Sequence, residues 1–193
     1  MTVSTRSTAP PPVQVPAAPT DDPAGRGDLQ ERGAVSLVVL GLDLGSHLGW
    51  CVLDGDELRG AGVHRIGTTV GMRGGLVEAP ALRARDLRAF ARSLIGQYVP
   101  HIVAYERVRR HAGTDAAHVY GALRYALLEV LATMPRPPRV VEVGVGAAKR
   151  VLAGKGRASK AEMVAAAEKL YPGHPWPEDA ADALGVALVG GES

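Results

Sequence analysis

Cysteine is all but absent from this chain. One residue, Cys51, stands in an apolar stretch of a 193-residue sequence with no second thiol to bond it. A disulfide framework and a thiolate-rich zinc site are thereby excluded, and the expectation is a reducing, cytoplasmic setting with Cys51 as a buried structural thiol. Long apolar runs are missing too. None approaches the roughly 20 residues that span a bilayer, so no membrane partner is expected. Aromatics are absent from the first 33 residues, which are rich in Pro, Ala, Thr and Asp and show no apolar periodicity. Such a segment cannot bury enough surface to offset its ordering entropy. It lacks the apolar centre of a signal peptide, and Asp21, Asp22, Asp28 and Glu31 argue against a transit peptide. Residues 1–34 are therefore expected to be a disordered arm or an over-extended gene start, and residues 35–193 one folded domain.

A net charge of +2 decides little, but its distribution is uneven. Between Pro135 and Lys160 stand Arg136, Arg139, Lys149, Arg150, Lys155, Arg157 and Lys160 against Glu142 alone, seven minus one giving +6. Either a polyanion partner or a solvated basic face accounts for such an excess.

The pattern along the domain alternates between strand and helix signals. Ser36 to Asp43 reads as a buried central strand, Gly49 to Leu53 as a second, and Asp54-Gly55-Asp56 as a tight turn into a third from Glu57 to Ile66. Thr68 to Glu78, with three glycines, reads as a mobile loop. Pro80 opens a helix whose Leu87, Phe90, Leu94 and Tyr98 share one face, and Pro100 ends it. His101 to Tyr105 is a strand with Glu106 at its end. Thr114 to about Ala132 is a helix, Arg139 to Val143 a strand, and Val145 to Leu152 a short helix. Ser159 and Glu162 form a capping box, and Pro177 stands at the start of a last helix from Glu178 to Val189. Three antiparallel strands followed by helix, strand, helix, strand and terminal helices predict an α/β, ribonuclease-H-like fold: a five-stranded mixed sheet with helices on both faces.

Four acids are hard to explain as solvated surface. Asp43 closes the first strand, and Glu106 has the same placement on a later one. Asp179 and Asp182 are three apart and share a helix face, their Cβ atoms about 5 to 6 Å apart. Asp182 lies among Ala180, Ala181, Ala183, Leu184 and Val186, where a carboxylate needs a cation. Oxygen ligands alone favour Mg²⁺ or Mn²⁺ over zinc. Two such ions about 4 Å apart serve in-line phosphodiester hydrolysis.

These residues carry a family resemblance. G-L-D-L-G at Gly41, Y-E-R-V at Tyr105, V-G-A-A-K and G-K-G-R-A-S-K between Val145 and Lys160, and D-A-A-D-A-L from Asp179 resemble the RuvC-type Holliday-junction resolvases from Leu37 to Val189. The resemblance implies that Asp43, Glu106, Asp179 and Asp182 form the metal-binding tetrad with two Mg²⁺, Mn²⁺ substituting. It also implies that Lys149 and Lys160 assist cleavage. The implied activity is paired nicking of a four-way DNA junction by a homodimer, leaving 5′-phosphate and 3′-hydroxyl ends. Expected DNA contacts are Arg107, Arg109, Arg110, Lys149, Arg150, Lys155, Arg157 and Lys160.

Two positions depart from the family pattern. Leu44 replaces the proline usual after the first aspartate, and Arg109 replaces the aromatic that wedges into junction bases. A guanidinium stacks on a base but does not match a phenyl wedge, so the loop from Arg107 to His111 is expected to grip phosphates more than unstack bases. His111 and His118 are not assigned to the site. Three other readings stay open: a nuclease for branched DNA or structured RNA, a non-catalytic DNA-binding module, and an actin-like ATPase fragment, since G-x-D-x-G also opens those domains.

Overall fold

Among the described residues the chain lays down β1 (Val38–Asp43), β2 (His47–Asp54), β3 (Glu57–Arg65), α1 (Glu78–Tyr98), β4 (Ile102–Arg107), α2 (Thr114–Ala132), β5 (Arg139–Gly144), α3 (Val145–Ala153), α4 (Lys160–Leu170) and α5 (Glu178–Glu192). The computed structural model describes residues 36–67, 78–108 and 113–193, and of 78–80 the backbone only. The expected arm, almost all of the glycine-rich loop, and Arg109, Arg110 and His111 lie outside those residues. None of the described helices is long and apolar enough to cross a membrane.

The five strands form one sheet in the order β3-β2-β1-β4-β5. β1 to β3 are an antiparallel meander, and β4 and β5 add in parallel, so the predicted mixed sheet is borne out with β1 at its centre. Some boundaries move. β2 starts at His47 rather than Gly49, because His47 and Leu48 continue the ladder with Arg65 and His64 of β3. α1 starts two residues before Pro80, which then sits in the first turn, where a missing N–H breaks no helical bond. β4 extends past Tyr105 to Arg107, so Glu106 lies within the strand and not beyond it. Pro177 is the N-cap of α5 and stands outside its first turn. The Ser159–Glu162 capping box at α4 forms as expected, the Ser159 hydroxyl accepting from the Glu162 N–H.

Strand alternation divides the core into two faces. Leu40, Leu42, Leu48, Val52, Val103 and Tyr105 point to one side, where Leu87, Leu94, Leu123 and Leu127 of α1 and α2 cover them. Trp50, Phe90 and Tyr98 pack at the margin of that side, concentrating much of the chain's small aromatic content. Val39, Cys51, Leu53 and Ile102 point to the other side, against Ala180, Ala183, Leu184 and Ala187 of α5 and Met163 and Ala167 of α4. Cys51 is buried and free there, its thiol pushed well up by burial, consistent with a structural role.

Candidate metal and nucleic-acid site

The same alternation aims the two strand acids. Asp43 follows Val39 and Gly41 at even spacing, and Glu106 follows Ile102 and Ala104, so both turn to the α5 face. β1 and β4 run parallel with Leu42 opposite Tyr105, which makes Asp43 and Glu106 the next neighbours along the register. Their carboxyl groups share a hydrogen bond.

Small residues bring α5 to them. Gly49 pairs with Asp43 across the β1–β2 ladder, and a Cβ placed on it would lie 1.9 Å from the Asp179 carbonyl oxygen. At Gly41 a Cβ would lie 2.4 Å from the Ala183 carbonyl oxygen, and at Gly190 it would lie 2.6 Å from the Ala104 Cβ. Backbone thus meets backbone, and the first two turns of α5 carry Asp179 and Asp182 over the ends of β1 and β4. Glycine in β1 and β2 serves close approach, a signal that the sequence pattern of alternating apolar residues does not carry.

The electrostatics are those of acids crowded together. Burial first, then the charges of Glu106, Asp182 and Asp179, holds the Asp43 carboxyl well above the usual carboxylate range. Burial also raises Glu106, while its bond to Asp43 works the other way. Asp182 is raised by burial against the pull of Lys149 and Lys160.

Both candidate lysines face this cluster. Lys149, on α3, donates from Nζ to the Ala158 carbonyl at 2.7 Å while its charge acts on Glu106 and Asp182. Lys160, at the start of α4, lies 3.0 Å from Glu178 Oε2 and 3.7 Å from Asp179 Oδ1. The Glu178 bond is the main reason its ammonium is held above the usual value. Glu178 is a fifth acid at this edge that the tetrad pattern passes over; its place one residue before Asp179 was the available signal.

The donor chemistry suits a hard divalent cation: four carboxylates, with no thiolate or imidazole among them. No preassembled cage of three or more such side chains exists among the described residues. Asp43 and Glu106 instead face each other as a hydrogen-bonded pair, and Asp179 leans toward Lys160. A cation among them would offset the burial and mutual repulsion that raise these carboxyls, so the residues fit.

The expected DNA-contact residues divide into three groups. Lys149 and Lys160 stand at the acids, as just described. Arg107 turns back to Glu142, 3.8 Å away, and Glu142 also accepts from Tyr105 Oη and Arg124, each at 2.5 Å. Lys155 is paired with Glu162 at 2.5 Å, a bond that with the Ser159 contacts pulls the Glu162 carboxyl down to about 2. Arg150 and Arg157 are exposed on the α3 side and the loop after it. The local excess of +6 is therefore partly paired off by acids on neighbouring elements. Tyr120, another residue missed in the sequence, donates its hydroxyl to the Glu106 carbonyl at 2.9 Å and so pins the end of β4.

A family model described as crossover junction endodeoxyribonuclease RuvC matches residues 39–190. The chain is 29% identical over 154 residues to the crossover junction endodeoxyribonuclease RuvC of Gluconobacter oxydans (strain 621H), covering 78% of this chain and 87% of that one. Its structure is similar to that of T. thermophilus RuvC in complex with Holliday junction substrate, at 26% identity and a TM-score of 0.64, covering 79% and 91% of the two chains. The yeast mitochondrial Holliday junction resolvase shares the fold, with a TM-score of 0.56 at 18% identity over 81% and 77% of the chains. A match of this extent, over residues that include both strand acids and both helix acids, shows that the chain belongs to the RuvC family of crossover junction endodeoxyribonucleases.

Proposed function

We propose that this protein is a metal-dependent, structure-selective endonuclease that hydrolyses phosphodiester bonds in four-way (Holliday) DNA junctions. It makes paired nicks as a homodimer and leaves 5′-phosphate and 3′-hydroxyl ends. The observation that carries this reading is the meeting of Asp43, Glu106, Asp179 and Asp182 at one end of the sheet in a chain of the RuvC family.

Two Mg²⁺ ions, with Mn²⁺ as a substitute, are the cofactor that this oxygen set supports. Asp43, Glu106, Asp179 and Asp182 would hold them, with Asp43, on the central strand, between the other acids. Bound there, the ions supply Lewis-acid activation of water and neutralise charge on the scissile phosphate. The chain's own residues do the rest. Lys149, fixed by its bond to the Ala158 carbonyl, presents a stationary positive charge to the phosphate. Lys160 can exchange Glu178 and Asp179 for a phosphate oxygen, freeing Asp179 as a ligand. Arg150 and Arg157 extend the basic surface along the strand on either side of the cut.

The test is to incubate the protein with end-labelled four-way junction, flap, duplex and structured RNA, each with Mg²⁺ or with chelator, and to map the product ends. Symmetric nicks in the junction alone, carrying 5′-phosphates and requiring metal, are expected. Equal cutting of flaps or RNA would move the substrate class, and binding without nicks under every condition would leave only a DNA-binding module.

A further inference from the structure

The acids stand on the α5 face of the sheet, but the end of β4 that carries Glu106 is held from the opposite face, by α2. Tyr120 and Arg124 are four residues apart on α2 and so share one side of it. Tyr120 Oη donates to the Glu106 carbonyl at 2.9 Å and accepts from the Val108 N–H at 3.4 Å. Arg124 Nε donates to Tyr105 Oη at 3.0 Å and its Nη2 to Glu142 Oε1, with the guanidinium 5.7 Å from the centre of the Tyr105 ring. Tyr105 is buried, and its hydroxyl donates to the same Glu142 oxygen. Burial and that bond push the phenol up to about 12, so it stays a donor.

These bonds stand in for a neighbouring strand. The β1–β4 ladder ends at the pair Leu42–Tyr105, one step short of Glu106. A carbonyl and the N–H two residues further on are the two groups that one residue of a parallel neighbour bonds. The Tyr120 hydroxyl, donor and acceptor at once, meets both, and so continues the hydrogen bonding of β4 past the end of that ladder. What it fixes is the peptide from which the Glu106 side chain rises, on the other face, toward Asp43. A carboxylate on a loose backbone must be ordered each time it closes on a cation, at an entropic cost that a held one avoids.

We propose that Tyr120 and Arg124 are positioning residues for the metal centre: from the α2 side they hold the end of β4 so that Glu106 meets Asp43 ready for a divalent cation. The inference rests on the metal-binding reading above and adds the residues that set the site's affinity for the ion. Both act through Glu106. Their loss weakens metal binding more than it slows the cut once metal is saturating.

The experiment measures Mn²⁺ binding to the full chain by electron paramagnetic resonance, without DNA, beside the Mg²⁺ dependence of single-turnover junction cleavage. Tyr120→Phe deletes the hydroxyl alone, and Arg124→Met the guanidinium. Each should raise the Mn²⁺ dissociation constant and the half-saturating Mg²⁺ about tenfold, as loss of a partner that orients a metal ligand does, with the saturated rate within about twofold of native. Tyr125→Phe, the same change at an exposed position of α2, should alter neither. In a Glu106→Gln background, Tyr120→Phe should leave the remaining Mn²⁺ binding unchanged, because its effect passes through Glu106. Native Mn²⁺ affinity in either variant overturns the proposal alone. So does an undiminished effect in the Glu106→Gln background, or a lowered saturated rate with native metal affinity. Absence of Mn²⁺ binding by the native chain overturns the metal reading as well.

Discussion

The two faces of the sheet are packed by different kinds of residue, and the difference explains where the acids meet. On the α1–α2 side, leucines and aromatics fill the space, and the helices stand off from the sheet at the distance those side chains set. On the α5 side the contacts at Gly41, Gly49 and Gly190 are with helix backbone or with alanine, and the helix lies almost against the strands. Large side chains supply burial, at about 25 cal/mol per Å² of apolar surface. Small ones supply position. A helix held off by leucine could not bring Asp179 and Asp182 within reach of Asp43 and Glu106.

The largest effect that would break this comparison is chemical. Asp182→Asn keeps the shape of α5 and removes a charge, so junction cleavage with Mg²⁺ should fall about a thousandfold or more, equivalent to roughly 4 kcal/mol of barrier. Single-turnover rates of a variant with unchanged circular dichroism test it, and near-normal cleavage would remove α5 from the site. Next come two core substitutions with opposite signatures. Leu127→Ala, fully buried on the α2 side, should lose about 2–5 kcal/mol of stability yet cut at a near-normal rate per folded molecule. Gly49→Ala should lose about 1–3 kcal/mol, the usual range for overpacking, but with a disproportionate loss of cleavage as α5 is pushed away. Denaturant melts and rates measured on the same samples separate the two, and equal loss of rate in both variants would erase the distinction between the faces.

A smaller effect is expected in the pH dependence. The Asp43 carboxyl is raised in the folded state, so it binds its proton more tightly there than in the unfolded chain. Its stabilising contribution is complete below the ordinary carboxylate value of about 4 and is lost as pH rises through the raised one. Thermal midpoints of the metal-free protein should therefore fall on going from acid toward neutral pH. The decline should be shallower in Asp43→Asn, and Mg²⁺ should offset it in the native chain only. Parallel declines in the two proteins would place the crowding elsewhere. The smallest effect is local: Ser159→Ala should lower stability by about 1 kcal/mol through loss of the α4 cap, with cleavage reduced only as far as Lys160, the next residue, loses its orientation. A drop beyond about 2 kcal/mol in the melt would show that the cap supports more than its own helix.

Much of this architecture was legible because its signals are local. The bounds of α2 and the Ser159–Glu162 box follow from residues within a few positions of one another, and the meander from apolar runs divided by turn residues. The start of β2 was not legible, since His47 and Leu48 join the strand through main-chain bonds to β3 that any side chain permits. Convergence of the acids was suggested by resemblance, while the means of convergence, glycines facing helix backbone, depends on tertiary approach. The pairing of Arg107, Arg124 and Tyr105 around Glu142 links β4, α2 and β5, so a charge count along the chain could not reveal it.

The bond from Lys149 to the Ala158 carbonyl spans the loop of residues 154–157. That loop is exposed and carries no acid, the kind of segment in which insertions and deletions are usually absorbed without consequence. Here its length fixes where an ammonium group stands relative to Glu106 and Asp182. Shortening or lengthening it by a residue would retune the site's electrostatic field while leaving every amino acid of the site unchanged.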